Sequence, residues 1–518
     1  MAELQARALP VADRDVSIET DRVLNRGRSH FGVIDVGSNS MRLVVYDDLA
    51  RAPFPRFNEK SVVALGAGID DDGNFTDTVM ARAMRAIRRF HAIARAMGVE
   101  ALDIIATEAM RRAKNGQVLV DAITEETGCE VNLLSGGEEA THSAHGVIFG
   151  FFQPQGIVGD IGGGSLELAQ VTGDRVEGSV TSMPLGALPV KHLMEDGVVD
   201  SAKKEIDRIL ADQVPDFPRP KVFYAVGGGW RALARIHIAT HDLPIRVVHG
   251  YELPGDTVRA LAKKIARLSP DEVADLPDVP SRRVDTLPAS ALVMSRVLKA
   301  LKPERVIFSV SGVREGWLYS KLDETEQYRD PLLESAMAIG LPRARVPGFS
   351  AALGDWTEGL FPDETLPERR LRLTACALTD LSWRDHEKVR AQESFYRILH
   401  FPFIGVTHPE RVFIALTLLA RYGGKLDDAL TKLATDYLDP ETLNRAEVLG
   451  RALLLGHRYS ASVPEILAQT RLVIEDDTVV LEVDDPESAP DSDAVRTRLR
   501  QLVKVAGADH YEVIVTSN

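Results

Sequence analysis

One short pattern of aspartate, glycine and serine occurs twice in this chain, and its two aspartates, Asp35 and Asp160, are 125 positions apart. The copies, Ile34–Leu43 and Gly159–Leu168, share Asp, a β-branched residue, Gly, Ser and Leu at matching positions. Each copy is flanked by two apolar runs, and this arrangement predicts a strand, a tight loop and a second strand. We therefore expect one β-hairpin to be used twice, although a single copy on its own is compatible with any glycine-rich hairpin.

The predicted hairpin loops have the composition of a phosphate-binding site. Glycine lets backbone N–H groups approach an anion closely, and polar side chains add donors: Ser38, Asn39, Ser40 and Ser165. Asp35 and Asp160 follow directly on the first strands, and two carboxylates near a phosphate favour a bridging hard cation such as Mg²⁺. Two facing copies predict two lobes that close on one polyphosphorylated ligand.

Composition limits the possible classes of protein. The chain has 518 residues and a formal net charge of −15, which predicts three or four domains and argues against a general nucleic-acid or membrane-surface binder. Only two cysteines occur, Cys129 and Cys376, and their separation predicts a reducing, cytoplasmic location without disulfides. Residues 1–30 mix charges without an apolar run, so we expect a mobile tail and no signal peptide.

Two strand-to-helix junctions offer further candidate residues. Arg111 lies one turn into a predicted helix, where a guanidinium can meet phosphate, although a surface arginine is the simpler interpretation. Glu138 and Glu139 begin another helix, where the helix dipole alone favours carboxylates. Because consecutive helix residues point about 100° apart, at most one of the pair can face a cleft. That carboxylate could orient or deprotonate a water molecule.

Taken together, these segments resemble the exopolyphosphatase/guanosine pentaphosphate phosphohydrolase (Ppx/GppA) family, whose motifs occur here in order over residues 31–320. They are Asp35–Ser40, Ala106–Asn115, Ser135–Ala140, Asp160–Ser165, Pro184–Ala187, Val226–Gly229 and Gly312–Gly316. The resemblance implies an α/β class and a duplicated actin-like (ribonuclease H-like, ASKHA) fold. Its lobes would cover residues 31–144 and 145–322, with the active site between them.

The resemblance also implies roles for individual residues. Glu139 and Arg111 would be catalytic, and Asp35, Asp160 and Glu139 would bind Mg²⁺. The phosphate-binding set would be Gly37, Ser38, Asn39, Ser40, Gly162, Gly163, Gly164, Ser165 and Gly228. The sequence departs from the family at residues 64–68, where Ala64 replaces an arginine; Lys60 is a candidate substitute for that charge.

Two more domains are expected after the lobes. Residues 323–440 are predicted to be all-helical and resemble HD-type phosphohydrolases, but the usual histidine of the metal motif is missing at Thr379–Asp380. We expect this domain to form a scaffold and a homodimer surface. The basic cluster Arg369–Arg372 suits either a substrate channel or a solvated helix face. Residues 441–518 predict a small α/β domain.

Three functions remain open at this point. The first is Mg²⁺-dependent release of orthophosphate from the end of inorganic polyphosphate. The second is conversion of guanosine pentaphosphate (pppGpp) to the tetraphosphate (ppGpp), which breaks the same kind of bond with the same residues. The third is an actin-like kinase or ATPase, or a regulator that binds polyphosphate or alarmone without turnover. Accessory helices favour the long polyanion, and no nucleic-acid or membrane partner is expected.

Overall fold

The structure, a computed structural model, describes residues 17–27, 29–195, 199–484 and 492–516. Residues 27–327 form one compact unit, and residues 328–518, together with the segment before residue 27, form a second. Within the described ranges, no helix is both long and apolar enough to cross a membrane. The predicted division into four domains remains a prediction.

The segment predicted as a mobile tail contains a helix. Helix α1 (Thr20–Leu24) lies within it, and its Arg22 pairs with Glu334 of the same unit. This pairing could not be predicted from the sequence, because Glu334 is more than 300 residues away. Residues 1–16 and 28 lie outside the described residues.

The first lobe is an α/β sandwich built on a five-stranded sheet. Its elements are β1 (His30–Val36), β2 (Ser40–Tyr46), β3 (Pro55–Val62), α2 (Asp77–Ala96), β4 (Val99–Ala106), α3 (Glu108–Arg112), α4 (Gly116–Thr127), β5 (Val131–Leu133) and α5 (Gly136–Gly150). The strand order is β3-β2-β1-β4-β5. Strands β1 and β2 are antiparallel and β1 and β4 are parallel, so this is the ribonuclease H-like arrangement.

The second lobe repeats this arrangement. Its elements are β6 (Gln155–Ile161), β7 (Leu166–Thr172), β8 (Arg175–Met183), α6 (Ala187–Glu195), α7 (Val199–Gln213), β9 (Val222–Val226), α8 (Gly228–Thr240), β10 (Tyr251–Pro254), α9 (Gly255–Ile265), α10 (Pro270–Ala274), α11 (Leu287–Leu301), β11 (Arg305–Phe308) and α12 (Val313–Ser320). The order is β8-β7-β6-β9-β11, with β10 added at the edge. Both predicted hairpins, β1–β2 and β6–β7, are present. The duplicated, actin-like fold is confirmed.

Each lobe has its own hydrophobic core. In the first lobe α2 packs Ile87 and Phe90 against the strand residues Ile34 and Leu43. In the second, Trp230 of α8 is fully buried among strand and helix residues, and its indole N–H donates to the Ser290 carbonyl at 2.9 Å. Because burial on this scale fixes both sheets, the loops at their strand ends have defined positions.

Residues after the lobes are mostly helical. They comprise α13 (Glu324–Gln327), α14 (Pro331–Gly340), α15 (Phe349–Trp356), α16 (Leu366–Ala377), α17 (Arg390–His400), α18 (His408–Arg421), α19 (Asp428–Tyr437), α20 (Pro440–Ser460), α21 (Pro464–Leu467), β12 (Thr470–Glu475), β13 (Thr478–Val483), α22 (Asp493–Ala506) and β14 (His510–Val515). The last three strands form one sheet in the order β12-β13-β14.

The basic cluster at 369–372 is mostly internal, which corrects both interpretations offered from the sequence. Arg370 and Arg372 are each only 1% exposed. Arg370 pairs with Asp330 at 2.5 Å and with Glu410 at 2.9 Å, and Arg372 pairs with Glu364 at 2.5 Å. These arginines are therefore buried ion pairs, neither a solvated face nor the lining of a channel.

Candidate active site

A cleft of about 530 Å³ is lined by residues of both lobes. Both hairpin loops reach it, as do the starts of α8 and α12 and a short 3₁₀ helix, Ser281–Arg283, before α11. Its charged side chains are six carboxylates and seven cations: Asp35, Glu108, Glu139, Asp160, Glu167 and Glu315, and Arg42, Lys60, Arg231, Arg235, Arg282, Arg283 and Arg314. This polarity excludes an apolar ligand.

The two hairpin loops have the same turn and face each other. The Gly37 N–H donates to the Ser40 carbonyl at 3.2 Å, and the Gly162 N–H donates to the Ser165 carbonyl at 2.9 Å. A Cβ added at Gly163 would lie 3.1 Å from the Ser38 Cβ. Gly163 therefore allows the close approach of the second loop to the first, and backbone N–H groups of both loops lie at the same end of the cleft.

Asp35 and Asp160 occupy equivalent positions, one residue before the end of β1 and of β6. Burial raises the pKa of both carboxyl groups. Ser143 of α5 donates to Asp160 Oδ2 at 2.6 Å and fixes its orientation. Because both carboxylates line one cleft and both are desolvated, a cation between them would be strongly favoured.

Glu138 and Glu139 have different roles: Glu138 caps helix α5, and Glu139 lines the cleft. Glu138 is exposed, accepts from the Ser135 N–H at 2.7 Å and completes the capping box that begins α5. Glu139 is only 6% exposed and lines the cleft. As expected from helix geometry, only one of the pair faces the cleft.

The ionisation of Glu139 is shifted into the neutral range. Burial raises its pKa to about 7, against the lowering effect of Arg111 and with further raising by Asp160 and Glu108. The Arg111 guanidinium donates both to Glu139 Oε1 and to the Leu134 carbonyl. A carboxylate with this pKa can accept a proton from water and release it again near neutral pH.

Glu167 is a site residue that the motifs did not single out. It is paired with Asp160 across the β6–β7 hairpin, is buried, and accepts from the Ser182 hydroxyl at 2.9 Å. Burial, together with the nearby Glu139 and Asp160 carboxylates, raises the pKa of Glu167 well above its ordinary value. The hairpin register could have revealed it, because residues paired across an antiparallel ladder share a face.

Cations occupy the remaining part of the lining. Arg42 pairs with Asp35 across β1–β2 and with Lys60 across β2–β3, so both basic side chains follow from strand register. Burial and the neighbouring arginines, Arg283 first among them, lower the pKa of Lys60 to about 8. Gly228 lies against the Arg283 guanidinium, where a Cβ would collide with it. Arg282 and Arg283 come from the short 3₁₀ helix, which no sequence pattern indicated.

Most predicted site residues line the cleft, but two do not. Asn39 is absent from the lining, and its carbonyl accepts from the Ala64 N–H at 2.9 Å. Arg111 is also absent from the lining, because its guanidinium is taken up by Glu139 and Leu134. Asn39 thus braces the loop through its backbone, and Arg111 contacts the candidate catalytic carboxylate and not the open cleft.

The predicted metal set is only partly assembled. In the ranges that the structure describes, no three His, Cys, Asp or Glu side chains form a group that could hold a metal ion. Glu139 is paired with Arg111 and Asp160 with Ser143. Mg²⁺ nevertheless needs only one or two carboxylates when substrate phosphates and water complete its shell. Asp35 and Asp160 fit that smaller requirement.

Comparisons with known proteins agree with this geometry. The family model described as "Ppx/GppA phosphatase family" matches residues 44–325, and the model "Exopolyphosphatase, C-terminal" matches residues 332–513. Exopolyphosphatase 1 of Mycobacterium leprae is 30% identical over 305 residues, covering 56% of this chain and 89% of that protein. Retrograde regulation protein 2 of Saccharomyces cerevisiae is 26% identical over 463 residues, 82% of this chain and 77% of that protein.

Solved structures resemble the two-lobed part. An exopolyphosphatase from Cytophaga hutchinsonii is 25% identical with a TM-score of 0.51, covering 57% of this chain and 98% of that one. The Aquifex aeolicus family member is 22% identical with a TM-score of 0.50, covering 57% of this chain and 98% of that one. This similarity is one of fold alone. Since the first family model alone spans more than half of the sequence, the chain belongs to the Ppx/GppA phosphatase family.

Proposed function

We propose that this protein is an exopolyphosphatase, which hydrolyses the terminal phosphoanhydride of inorganic polyphosphate and releases orthophosphate. The observation that carries the proposal is a single cleft in which a group of buried carboxylates around Glu139 adjoins a lining rich in arginine and lysine. The carboxylate end suits attack on a terminal phosphoryl group, and the cations suit the chain behind it. Relatives named exopolyphosphatase support the same activity.

The lining favours a chain of phosphates over a nucleotide. Among the described residues that line the cleft there is no Phe, Tyr, Trp or His, so a guanine base would find no aromatic ring on which to stack. Seven cations are instead distributed over both lobes. A linear polyanion can contact several of these cations through successive phosphates.

Glu139 is proposed as the general base. Its carboxylate accepts a proton from water as the water oxygen bonds to the terminal phosphorus, and the bond from that phosphorus to the bridging oxygen breaks. The electron pair leaves with the shortened polyphosphate. Backbone N–H groups of both hairpin loops stabilise the charge on the transferring oxygens, so the protein supplies mainly position and electrostatics. Arg111 is proposed to orient Glu139 and to stabilise the negative charge that develops during the reaction.

Mg²⁺ is the proposed cofactor, held by Asp35 and Asp160 with Glu139 nearby. When bound, it would supply positive charge to the phosphate oxygens and offset the repulsion between substrate and carboxylates. A homodimer and a cytoplasmic location remain predictions from the sequence; light scattering of the purified chain tests the first of them.

The test is orthophosphate release with Mg²⁺ from long-chain polyphosphate, short-chain polyphosphate, guanosine pentaphosphate and ATP at equal concentrations of chain ends. We expect long chains to give the highest kcat/KM. Preference for the pentaphosphate would make the protein an alarmone phosphohydrolase instead. Absence of release from every substrate, with binding retained, would favour a regulator that does not turn over its ligand. A Glu139→Gln variant serves as the control for contaminating phosphatase.

A further inference from the structure

The helical unit contains a buried polar centre at the position where the sequence lacks the histidine of an HD-type metal motif. Asp380 is 2% exposed and accepts from the Arg345 backbone N–H at 3.0 Å and from its Nε and Nη2 at 3.0 and 2.8 Å. Arg421 Nη2 lies 3.7 Å from the same carboxylate. Two guanidinium groups therefore lie at this carboxylate, where they would repel a cation.

The neighbouring histidine adds no charge to this centre. His457 Nδ1 accepts from Arg345 Nη2 at 2.6 Å, and an arginine can only donate. Burial and the two arginines hold the pKa of His457 well below its ordinary value. Its Nε2 lies 2.9 Å from the Thr379 hydroxyl, which also accepts from Arg421 Nε at 3.1 Å. Asp380 thus neutralises one of two arginines, and the centre carries an excess positive charge.

A cavity of about 400 Å³ opens beside Arg421, lined by Glu387, Lys388, Arg390, Arg421, Tyr422 and Leu454. Three cations there face one carboxylate. Arg390 Nε is buried and has no hydrogen-bond partner in the described part of the chain. Arg390 is also the first residue of α17, which brings the positive end of that helix to the rim.

These features have the character of an anion site. Like charges that share a cavity raise its free energy, and an anion with several acceptor oxygens would relieve the repulsion. A phosphoryl group matches the planar donor fork of arginine better than a spherical ion does. From Arg390, Arg421 and Lys388 we infer that this cavity binds a phosphoryl group, at a site distinct from the residues of the catalytic cleft.

Calorimetry on the full chain tests the inference, with Glu139→Gln as background so that turnover of tripolyphosphate is strongly slowed. Orthophosphate and tripolyphosphate are the probes, in chloride buffer. We expect two classes of site, one of which is weakened roughly tenfold or more by Lys388→Ala/Arg390→Ala, as befits charge-assisted hydrogen bonds. Arg42→Gln should weaken only the other class. Failure of the exopolyphosphatase proposal would leave this result unchanged.

The matched control removes two charges elsewhere on the same unit. Lys432→Ala/Arg500→Ala takes away exposed cations that do not line the cavity, so it should leave both classes of site intact. Leu454→Glu keeps every cation but places a carboxylate in the cavity, and it should also abolish the second class. Binding that persists in both cavity variants, or that falls equally in the control, overturns the inference.

The two probes separate two sources of the phosphoryl group. Binding of orthophosphate points to the released product or a phosphate monoester as the ligand. Binding of tripolyphosphate without orthophosphate points to a segment of the polyphosphate chain, and the cavity variant should then raise KM for long chains only. If neither probe binds to the second class of site, the inference is wrong.

Discussion

The two hairpins have the same backbone but opposite chemistry. In the first lobe Asp35 is paired across the ladder with Arg42, and Arg42 with Lys60. In the second lobe Asp160 is paired with Glu167, and Glu167 with Ser182. Equivalent positions of a duplicated sheet therefore carry cations on one side of the cleft and a carboxylate on the other.

This difference explains how a symmetric scaffold can act on an asymmetric substrate. Two identical lobes would bind two equivalent phosphates and provide no direction of attack. Here α5 and the second lobe contribute Glu139, Asp160 and Glu167, while the first lobe contributes Arg42 and Lys60. The terminal phosphoryl group is proposed to meet the carboxylates, with the rest of the chain along the arginines.

The largest expected effect tests whether Glu139 is the general base for phosphoanhydride hydrolysis. Glu139→Gln removes the proposed base without changing size, and we expect kcat to fall about 10²- to 10⁴-fold, the range for general-base catalysis. Glu138→Gln is the matched control, because Glu138 is exposed and only caps α5. Initial rates of orthophosphate release check both. Equal losses in the two variants would contradict the assignment.

The next effect tests the chemical difference between the hairpins directly. Arg42→Gln removes a phosphate-side cation and should raise KM for polyphosphate roughly tenfold to a hundredfold, as expected for a lost charge-assisted hydrogen bond. Glu167→Gln, at the equivalent position, should act mainly on kcat by changing the field at Glu139. Steady-state kinetics at fixed ionic strength separate the two. The same KM change in both variants would argue against the proposed division of roles.

Both hairpins could be predicted from the sequence because their information is local: an apolar run, a glycine-rich turn and a second apolar run. The order of the lobe elements followed in the same way. Arg42 and Glu167 could also have been found by pairing residues across each hairpin. The backbone contact between Ala64 and Asn39 could not be predicted from residue types, and the phosphate-binding role of Asn39 stays a prediction.

Other parts of the structure depend on contacts distant in the chain. Arg282 and Arg283 join the cleft from a short 3₁₀ helix more than 200 residues after the first hairpin, without a periodic signal. The sequence around Arg370 and Arg372 is typical of a charged surface. Their acidic partners, Asp330, Glu410 and Glu364, contact them only in the folded structure. The position of Arg111 at a strand-to-helix junction predicted a contact with phosphate. In the structure its guanidinium pairs with Glu139, a contact that depends on tertiary packing.

A smaller effect concerns the contribution of Glu139 to the stability of the folded protein. The pKa of Glu139 is raised from an ordinary 4.5 to about 7, so between these values the folded chain binds more protons than the unfolded one. The free energy of unfolding therefore falls as pH rises through 7. A difference of this size corresponds to at most about 3 kcal/mol.

Glu139→Gln removes that pH-dependent term. The gain in Tm of the variant over the wild type should be a few degrees larger at pH 8 than at pH 5, on the order expected for this free energy in a large unit. Differential scanning calorimetry at both pH values measures it. Glu138→Gln should show no such difference, and an equal gain for Glu139→Gln at both pH values would mean that Glu139 is already ionised at pH 5 in the folded state.

The smallest effect concerns Lys60, the candidate substitute for the arginine that Ala64 replaces. Lys60 has a pKa of about 8 because it is buried and surrounded by arginines, so it loses its charge as pH rises from 7 to 9. We expect KM for polyphosphate to rise roughly threefold over this range in the wild type, since one of several phosphate contacts is lost. Lys60→Arg, which stays charged, should flatten the rise, whereas Lys60→Gln should have the higher KM already at pH 7. An unchanged pH dependence in Lys60→Arg would show that another group titrates, and that Lys60 does not replace the arginine missing at Ala64.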